Sequence, residues 1–219
     1  HRKGRMKIPA ASSSAIADVL ALRGLSGWLT PPLAPIVAAR CPVVGEVVTV
    51  QIERRDSGAD FKPMYEVLSA IQEGKVLVIA GAIEIGGAIW GEILTASAQQ
   101  AGFVGVAIDG FVRDVTAMQN LELPIYASGT AVVGPLGRAH VVSVGETVNI
   151  LGQEVSSGDQ IVLDDSGCVR LSAKDAREIL EAAALYEKGE EQVLEALAAG
   201  ERLNSAYRYK ADVVSRLKR

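Results

Sequence analysis

A chain of 219 residues with 26 acidic against 22 basic side chains, formal charge −4, lacks the basic surplus that tracking a nucleic-acid backbone requires. Hydrophobic residues make up 49% and aromatic ones 5%, so one domain with a Val, Ile, Leu and Ala core is expected. No apolar run reaches spanning length without Gly or charge, which excludes a membrane helix, and a cytoplasmic protein is expected.

The start, HRKGRMKIPAASSS, is basic but has no apolar signal region. Met6 is a candidate native start, and residues 1–11 read as an N-terminal extension. Ser12, Ser13 and Ser14 can cap a helix that buries Ile16, Val19 and Leu20 and stops at Gly24. The Pro-rich stretch from Trp28 to Pro42 reads as irregular. Val43 to Ile52 reads as a strand with a bulge or close approach at Gly45, followed by a polar loop from Asp56 to Lys62. Pro63 at the first helical position opens a short helix that carries Tyr65, Leu68 and Ile71 and ends at Gly74.

Lys75 to Ala80 is a fully apolar strand. A connection, GAIEIGGAIWGE, feeds a helix from Glu92 to Ala101 closed by Gly102, and Val104 to Ile108 is the next strand. Strand, helix and strand with short turns form a βαβ unit with parallel pairing. After Pro124 the apolar runs are short: 125–127, 131–133, 141–144, 148–150, 161–163 and 168–170. Ser172 with Asp175 reads as a capping box for a long helix, interrupted at Gly189 and ended by Gly200, before a basic tail. The domain thus spans 12–171 and the C-terminal helical segment 172–219, the latter expected to pack on a neighbouring subunit. Cys41 and Cys168 have no metal-type spacing and read as small buried residues in a reducing compartment.

The chemistry concentrates in Asp109-Gly110-Phe111-Val112-Arg113-Asp114, three charges arriving where a buried strand is expected to end. Ligands gather at the carboxyl ends of strands in open α/β sheets. Asp114 can supply a metal carboxylate, Arg113 a grip on a carboxylate or enolate, and Asp109 can hold the turn or orient Arg113. A capped turn with a surface salt bridge accounts for the same residues. The glycine-rich connection has no GxGxxG and no GK[ST], nor the acidic, glycine-dense start of a methyltransferase loop. It leaves the amides of Gly91, Glu92, Ile93 and Leu94 at a helix start, where an anion can bind, or else a plain connector. His140 reads as a structural histidine. Glu187, Glu190 and Glu191 read most simply as a solvated helix face.

The segment GEILTASAQQAGFVGVAIDGFVRDV resembles the core motif of the RraA-like family, with likeness from about Ser14 to Gly200. That family holds regulators of ribonuclease E and class II 4-hydroxy-4-methyl-2-oxoglutarate/4-carboxy-4-hydroxy-2-oxoadipate aldolases; members are often mislabelled demethylmenaquinone methyltransferases. The resemblance implies a swivelling β/β/α domain of the phosphohistidine type with a long C-terminal helix, assembled as a homotrimer or hexamer with sites between subunits. It implies that Asp114 binds the metal, Mg2+ or Mn2+, and that Arg113 contacts the substrate keto oxygen. Gly91, Glu92, Ile93 and Leu94 then receive the substrate carboxylate. The acids Glu92 and, from a neighbouring subunit, Glu190 hold water of the metal. Gly189 departs from the family pattern there, so Glu187 or Glu191 are alternatives to Glu190. Asp109 marks the aldolase branch, since the regulators carry a bulkier uncharged residue at that position.

The expectation is therefore a metal-dependent pyruvate aldolase acting on a 4-hydroxy-2-oxo acid, with oxaloacetate decarboxylase activity beside it. The alternative is a non-catalytic inhibitor of ribonuclease E or a related RNA-processing enzyme.

Overall fold

The computed structural model describes residues 11–218. Residues 1–10 of the expected extension, Met6 among them, and Arg219 of the basic tail lie outside the described residues. Ala11 is not extension but core, buried beside Ile16 and Leu180.

Helix α1 (Ser13–Leu22) starts as its serines predict: Ser12 Oγ accepts the Ala15 amide at 3.2 Å, and Ile16, Val19 and Leu20 are buried. The strands are β1 (Ala34–Val37), β2 (Val43–Arg54), β3 (Lys75–Ala80), β4 (Ala88–Trp90), β5 (Gly105–Val112) and β6 (Ile125–Thr130), then β7 (Ala139–Val144), β8 (Val148–Ile150), β9 (Gln153–Val155), β10 (Gln160–Asp164) and β11 (Gly167–Leu171). Nine of them make one sheet in the order β1-β6-β5-β3-β2-β10-β11, with β4 also on β5 and β7 also on β2; β8 and β9 pair separately. Strands β2, β3, β5 and β6 run parallel, so the expected βαβ pairing holds, and β10 and β11 extend the sheet antiparallel.

The apolar run of β3 is explained by burial on both faces, as parallel strands require. Leu77 and Ile79 join one core cluster with Trp90, Ile108 and Met118. Val76, Val78 and Ala80 face the other way, onto Tyr126, Ile161 and Leu163. A third cluster joins α1 to the C-terminal helix through Ile16, Leu171, Ile179 and Tyr186. This is the mixed α/β fold with a long C-terminal helix that the resemblance implies.

Several local expectations are corrected. Trp28 to Pro42 is not wholly irregular, because Ala34–Val37 pairs with β6. Residues 131–133 are not a strand: β6 ends at Thr130 and Val132 is 96% exposed. Helix α2 (Lys62–Ser69) keeps Pro63 in its first turn but ends before Gly74, leaving Ile71 89% exposed. The βαβ crossover contains β4 before α3 (Glu92–Ala101), and α4 (Val115–Leu121) follows β5. Cys41 is exposed rather than buried, on the link between β1 and β2. Cys168 is only partly exposed, and burial raises the pKa of its thiol.

Helix α5 (Ala176–Ala198) begins at the predicted box, where Ser172 Oγ accepts the Asp175 amide at 3.1 Å. Gly189 does not interrupt it. A Cβ there would lie 2.9 Å from Val213 Cγ2 of α7 (Arg208–Leu217), so the glycine lets two helices touch. The basic tail is therefore helical, α6 (Leu203–Ala206) and then α7, and Lys210 Nζ reaches Glu190 Oε1 at 2.7 Å. The inner face of α5 is covered within the chain by α1 and α7. Its outer face exposes Leu185 and Leu194.

Gly189→Leu should push α7 off α5 and destabilise the fold by about 1–3 kcal/mol, the usual cost of overpacking. Gly189→Ala should be nearly neutral, because a helix-propensity gain of about 1 kcal/mol offsets a small clash. Urea unfolding of both variants checks this; equal stabilities would refute the packing role.

Candidate active site

Two chain segments meet at one end of the sheet. Strand β5 runs on to Val112, so Asp109 sits inside the strand and not at its end; only Arg113 and Asp114 emerge there. Beside it β4 runs parallel to β5, and the Arg113 amide donates to Trp90 O at 3.0 Å. The chain leaving β4 passes through Gly91 straight into α3, which brings the α3 N-terminus against the Arg113–Asp114 pair.

Asp109 is 6% exposed and acts on the turn that follows β3. Its Oδ2 accepts the Gly81 amide at 2.9 Å and its Oδ1 the Ala82 amide at 2.8 Å. These bonds hold a 3-10 turn over Ala82–Ile85 that sends the chain back from β3 towards β4. Burial pushes the Asp109 pKa above the ordinary carboxylate value; the Gly81, Ala82 and Ile83 amides pull it down, and the Glu84 charge adds to the rise. It holds a turn, as one sequence reading allowed, but that turn belongs to β3 and has no bond to Arg113.

At the junction itself side chains are missing where backbone must come close. A Cβ on Gly91 would lie 2.6 Å from Asp114 Oδ2, and one on Gly134 would lie 3.3 Å from an Arg113 guanidinium nitrogen. Asp114 has left-handed backbone angles (φ 61, ψ 38), a strained conformation that aspartate tolerates better than most residues. Its Oδ2 lies 3.4 Å from the Glu92 amide. Thr95 N and Oγ1 both bond to Gly91 O, and Trp90 Nε1 donates to Thr95 Oγ1 at 2.9 Å, so the start of α3 is locked from below. The Ile93 and Leu94 amides, in the first turn, have no acceptor among the described residues.

These groups line a cleft of about 570 Å³ together with Glu92, Arg113 and Asp114. Gly91, Glu92, Ile93, Leu94, Arg113 and Asp114, distant in sequence, are thus brought together as expected. Asp109 does not line the cleft. The glutamates of α5 do not reach it within one chain: Glu187 accepts the Ser12 amide at 2.8 Å, Glu190 pairs with Lys210, and Glu191 is exposed and unbonded among the described residues. His140 is structural, its Nδ1 accepting the Asp60 amide at 3.0 Å.

Sequence reasoning missed the other wall, where Phe61 and Tyr65 stand edge to face with ring centroids 5.5 Å apart, and Pro135 joins them. The spacing of four marks Phe61 and Tyr65 as neighbours at a helix start, but no local pattern sets them in a cleft with Arg113, which takes the start of α2, the 131–138 loop and the first residue of β7 together. Among the described residues no three His, Cys, Asp or Glu side chains cluster as a metal cage. Two carboxylates, those of Asp114 and Glu92, are what the cleft offers. That donor set fits magnesium, which keeps most of its waters, and does not fit a zinc site of three or four N or S ligands.

Comparison with known proteins gives a consistent picture. The RraA-like family model, described as Aldolase/RraA, matches residues 13–170. Protein DlpA of Legionella pneumophila is 24% identical over 89% of this chain, which spans only 32% of DlpA. A Halalkalibacterium halodurans protein provisionally named 4-hydroxy-4-methyl-2-oxoglutarate aldolase is 29% identical over 74% of each chain. The structure of Streptomyces coelicolor RraAS2, described as an unusual member of the RNase ES inhibitor RraA family, superposes with TM-score 0.71. It is 26% identical, covering 82% of this chain and 89% of that one.

Asp109→Ala strands two buried amides and should cost at least about 2 kcal/mol. Because the folded-state pKa of Asp109 is raised, its protonation favours the folded protein. The stability of the parent relative to Asp109→Asn should therefore rise as pH falls from neutrality through the folded pKa towards 3.8, and fall as pH rises. Paired denaturation curves across that range test the sign, and a flat difference would refute it.

Proposed function

The chain belongs to the RraA-like family, and we propose that it is an aldolase that splits a 4-hydroxy-2-oxo acid into pyruvate and a second carbonyl compound, with Mg2+ or Mn2+ held at Asp114. The observation that carries this reading is the meeting of Arg113, Asp114 and the free amides of the α3 N-terminus in one cleft. The name of the Halalkalibacterium halodurans relative supports the aldolase class.

In this reading the Ile93 and Leu94 amides, with the helix dipole behind them, receive the substrate carboxylate. Arg113 donates to the keto oxygen. Cleavage of the C3–C4 bond leaves its electron pair on the pyruvate fragment as an enolate, and the Arg113 charge stabilises that developing anion. Glu92, which lines the cleft, takes the C4 hydroxyl proton through a water, and C4 becomes a carbonyl; returning a proton to C3 completes pyruvate. When bound, the divalent ion supplies further Lewis-acid stabilisation of the same charge. Oxaloacetate losing carbon dioxide passes through the same enolate, so decarboxylation belongs to this reading too.

The proposal includes a homotrimer or hexamer in which an α5 carboxylate of a neighbouring copy, Glu190 by resemblance, joins the proton relay. The exposed Val132 and Leu136 on the loop bordering the cleft support a subunit contact there. Glu190 must then leave or share its bond to Lys210, whereas Glu191 is exposed and unbonded among the described residues. The likeness to RraAS2 favours a second reading, inhibition of an RNA-processing enzyme without catalysis.

Oxaloacetate decarboxylation by the purified chain should be metal-dependent and abolished by EDTA; no turnover, with binding to a ribonuclease, would support the inhibitor instead. Arg113→Ala should lower kcat by about a hundredfold or more, as loss of an oxyanion stabiliser does. Near-full activity would sink the mechanism. Gly91→Ala should leave the fold intact by circular dichroism yet cut activity on the order of a hundredfold, because its Cβ displaces the Asp114 carboxylate.

A further inference from the structure

Two buried side chains next to the Arg113–Asp114 pair have no part in the proposed chemistry. Trp90, the last residue of β4, is 1% exposed, and Thr95, the fourth residue of α3, is 0% exposed. Trp90 bonds in both directions. Its carbonyl accepts the Arg113 amide at 3.0 Å, and its indole Nε1 donates to Thr95 Oγ1 at 2.9 Å. Thr95 Oγ1 in turn donates to Gly91 O at 2.8 Å, and the Thr95 amide donates to the same oxygen at 3.0 Å. Indole, hydroxyl and Gly91 carbonyl thus form one chain of hydrogen bonds out of water, with no donor left over.

Gly91 is the residue that needs such a pin. Its close approach to Asp114 Oδ2 requires glycine, and glycine brings the widest backbone freedom of any residue. As the N-cap of α3 it also has no side chain to hold the first turn. The pin acts on the site through the peptide plane. In a planar trans peptide the C=O and the following N–H point in opposite directions. Two bonds on Gly91 O therefore fix the heading of the Glu92 N–H, which lies 3.4 Å from Asp114 Oδ2. Bonds accepted by a carbonyl also polarise the N–H of the same peptide and strengthen it as a donor. Among the described residues the Asp114 carboxylate accepts no other hydrogen bond, so this amide alone orients it.

Resting on the reading that Asp114 holds the metal, we infer that Thr95 is a positioning residue for it. The Thr95 hydroxyl, held by Trp90, pins the Gly91 carbonyl and so aims the Glu92 amide at the Asp114 carboxylate. Thr95 itself touches no substrate. Every bond in the chain lies within one subunit, so the device is the same whatever a neighbouring copy adds to the cleft.

The test is an Mn2+ titration of the substrate-free full chain, followed by electron paramagnetic resonance well below each variant's Tm. Thr95→Val should raise the Mn2+ Kd roughly tenfold or more, the usual effect of losing a partner behind a metal ligand. It should also lower Tm, because the Trp90 indole is left without an acceptor. Thr95→Ser keeps the hydroxyl and should restore both values. Trp90→Phe combined with Thr95→Val removes donor and acceptor together, so Tm should recover while the weak Mn2+ binding persists. A Kd that recovers along with Tm, or a Thr95→Val protein that binds Mn2+ as the parent does, overturns the inference while the aldolase reading stands. Oxaloacetate decarboxylation by the parent is measured beside the titration. A parent that binds Mn2+ without turnover overturns the aldolase reading alone, since the Kd comparison still decides the role of Thr95. A parent that binds no Mn2+ overturns the metal reading and the inference with it.

Discussion

A carboxylate taken out of water is costly unless its oxygens are bonded. Asp109 meets that demand with two main-chain amides, those of Gly81 and Ala82, rather than with a counter-ion. The bonds fasten the end of β3 to the middle of β5, its neighbour in the sheet. Once fixed, the turn over 82–85 returns the chain so that β4 lies along the last residues of β5. The position of α3, and hence of the cleft, follows from that return. Asp109 thus touches no part of the cleft, yet the cleft's geometry depends on it.

The second constraint is close approach. Gly110 packs against Ala82, Gly87 against the Gly134 carbonyl, Gly91 against Asp114 and Gly134 against Arg113. Each is a place where a side chain would push two segments apart. Together they let a strand end, a helix start and a loop converge tightly enough to share one small polar floor. The strained backbone of Asp114 belongs to the same arrangement, held by the strand before it and the helix after it. Under the proposed chemistry this preorganisation is what aims amides and a guanidinium at one developing charge.

Much of this is legible in the sequence. Apolar runs mark β2, β3, β5 and β10, serine caps mark α1 and α5, and with no nucleotide motif in the chain the charges of DGFVRD stand out. The misreadings share a cause. Glycines at 86, 87 and 91 read as a flexible connector, although Ala88–Trp90 between them is a buried strand. Gly189 read as a helix break because its packing partner, Val213, lies in a tail that looked merely basic. In both cases the glycine answers a distant neighbour that local patterns do not reveal.

By itself the sequence determined the elements whose signals are local: apolar period, capping residues, and the adjacency of Arg113 to Asp114. Those properties depend on residues a few positions apart. What only the tertiary structure decided was which distant residues share a surface. Asp109 serves a turn 28 residues away, Glu190 meets Lys210 on a second helix, and Phe61 and Tyr65 line one cleft with Arg113. The reason is physical: close contact between segments is set by how the whole sheet and its helices exclude water, and no short stretch of chain carries that information.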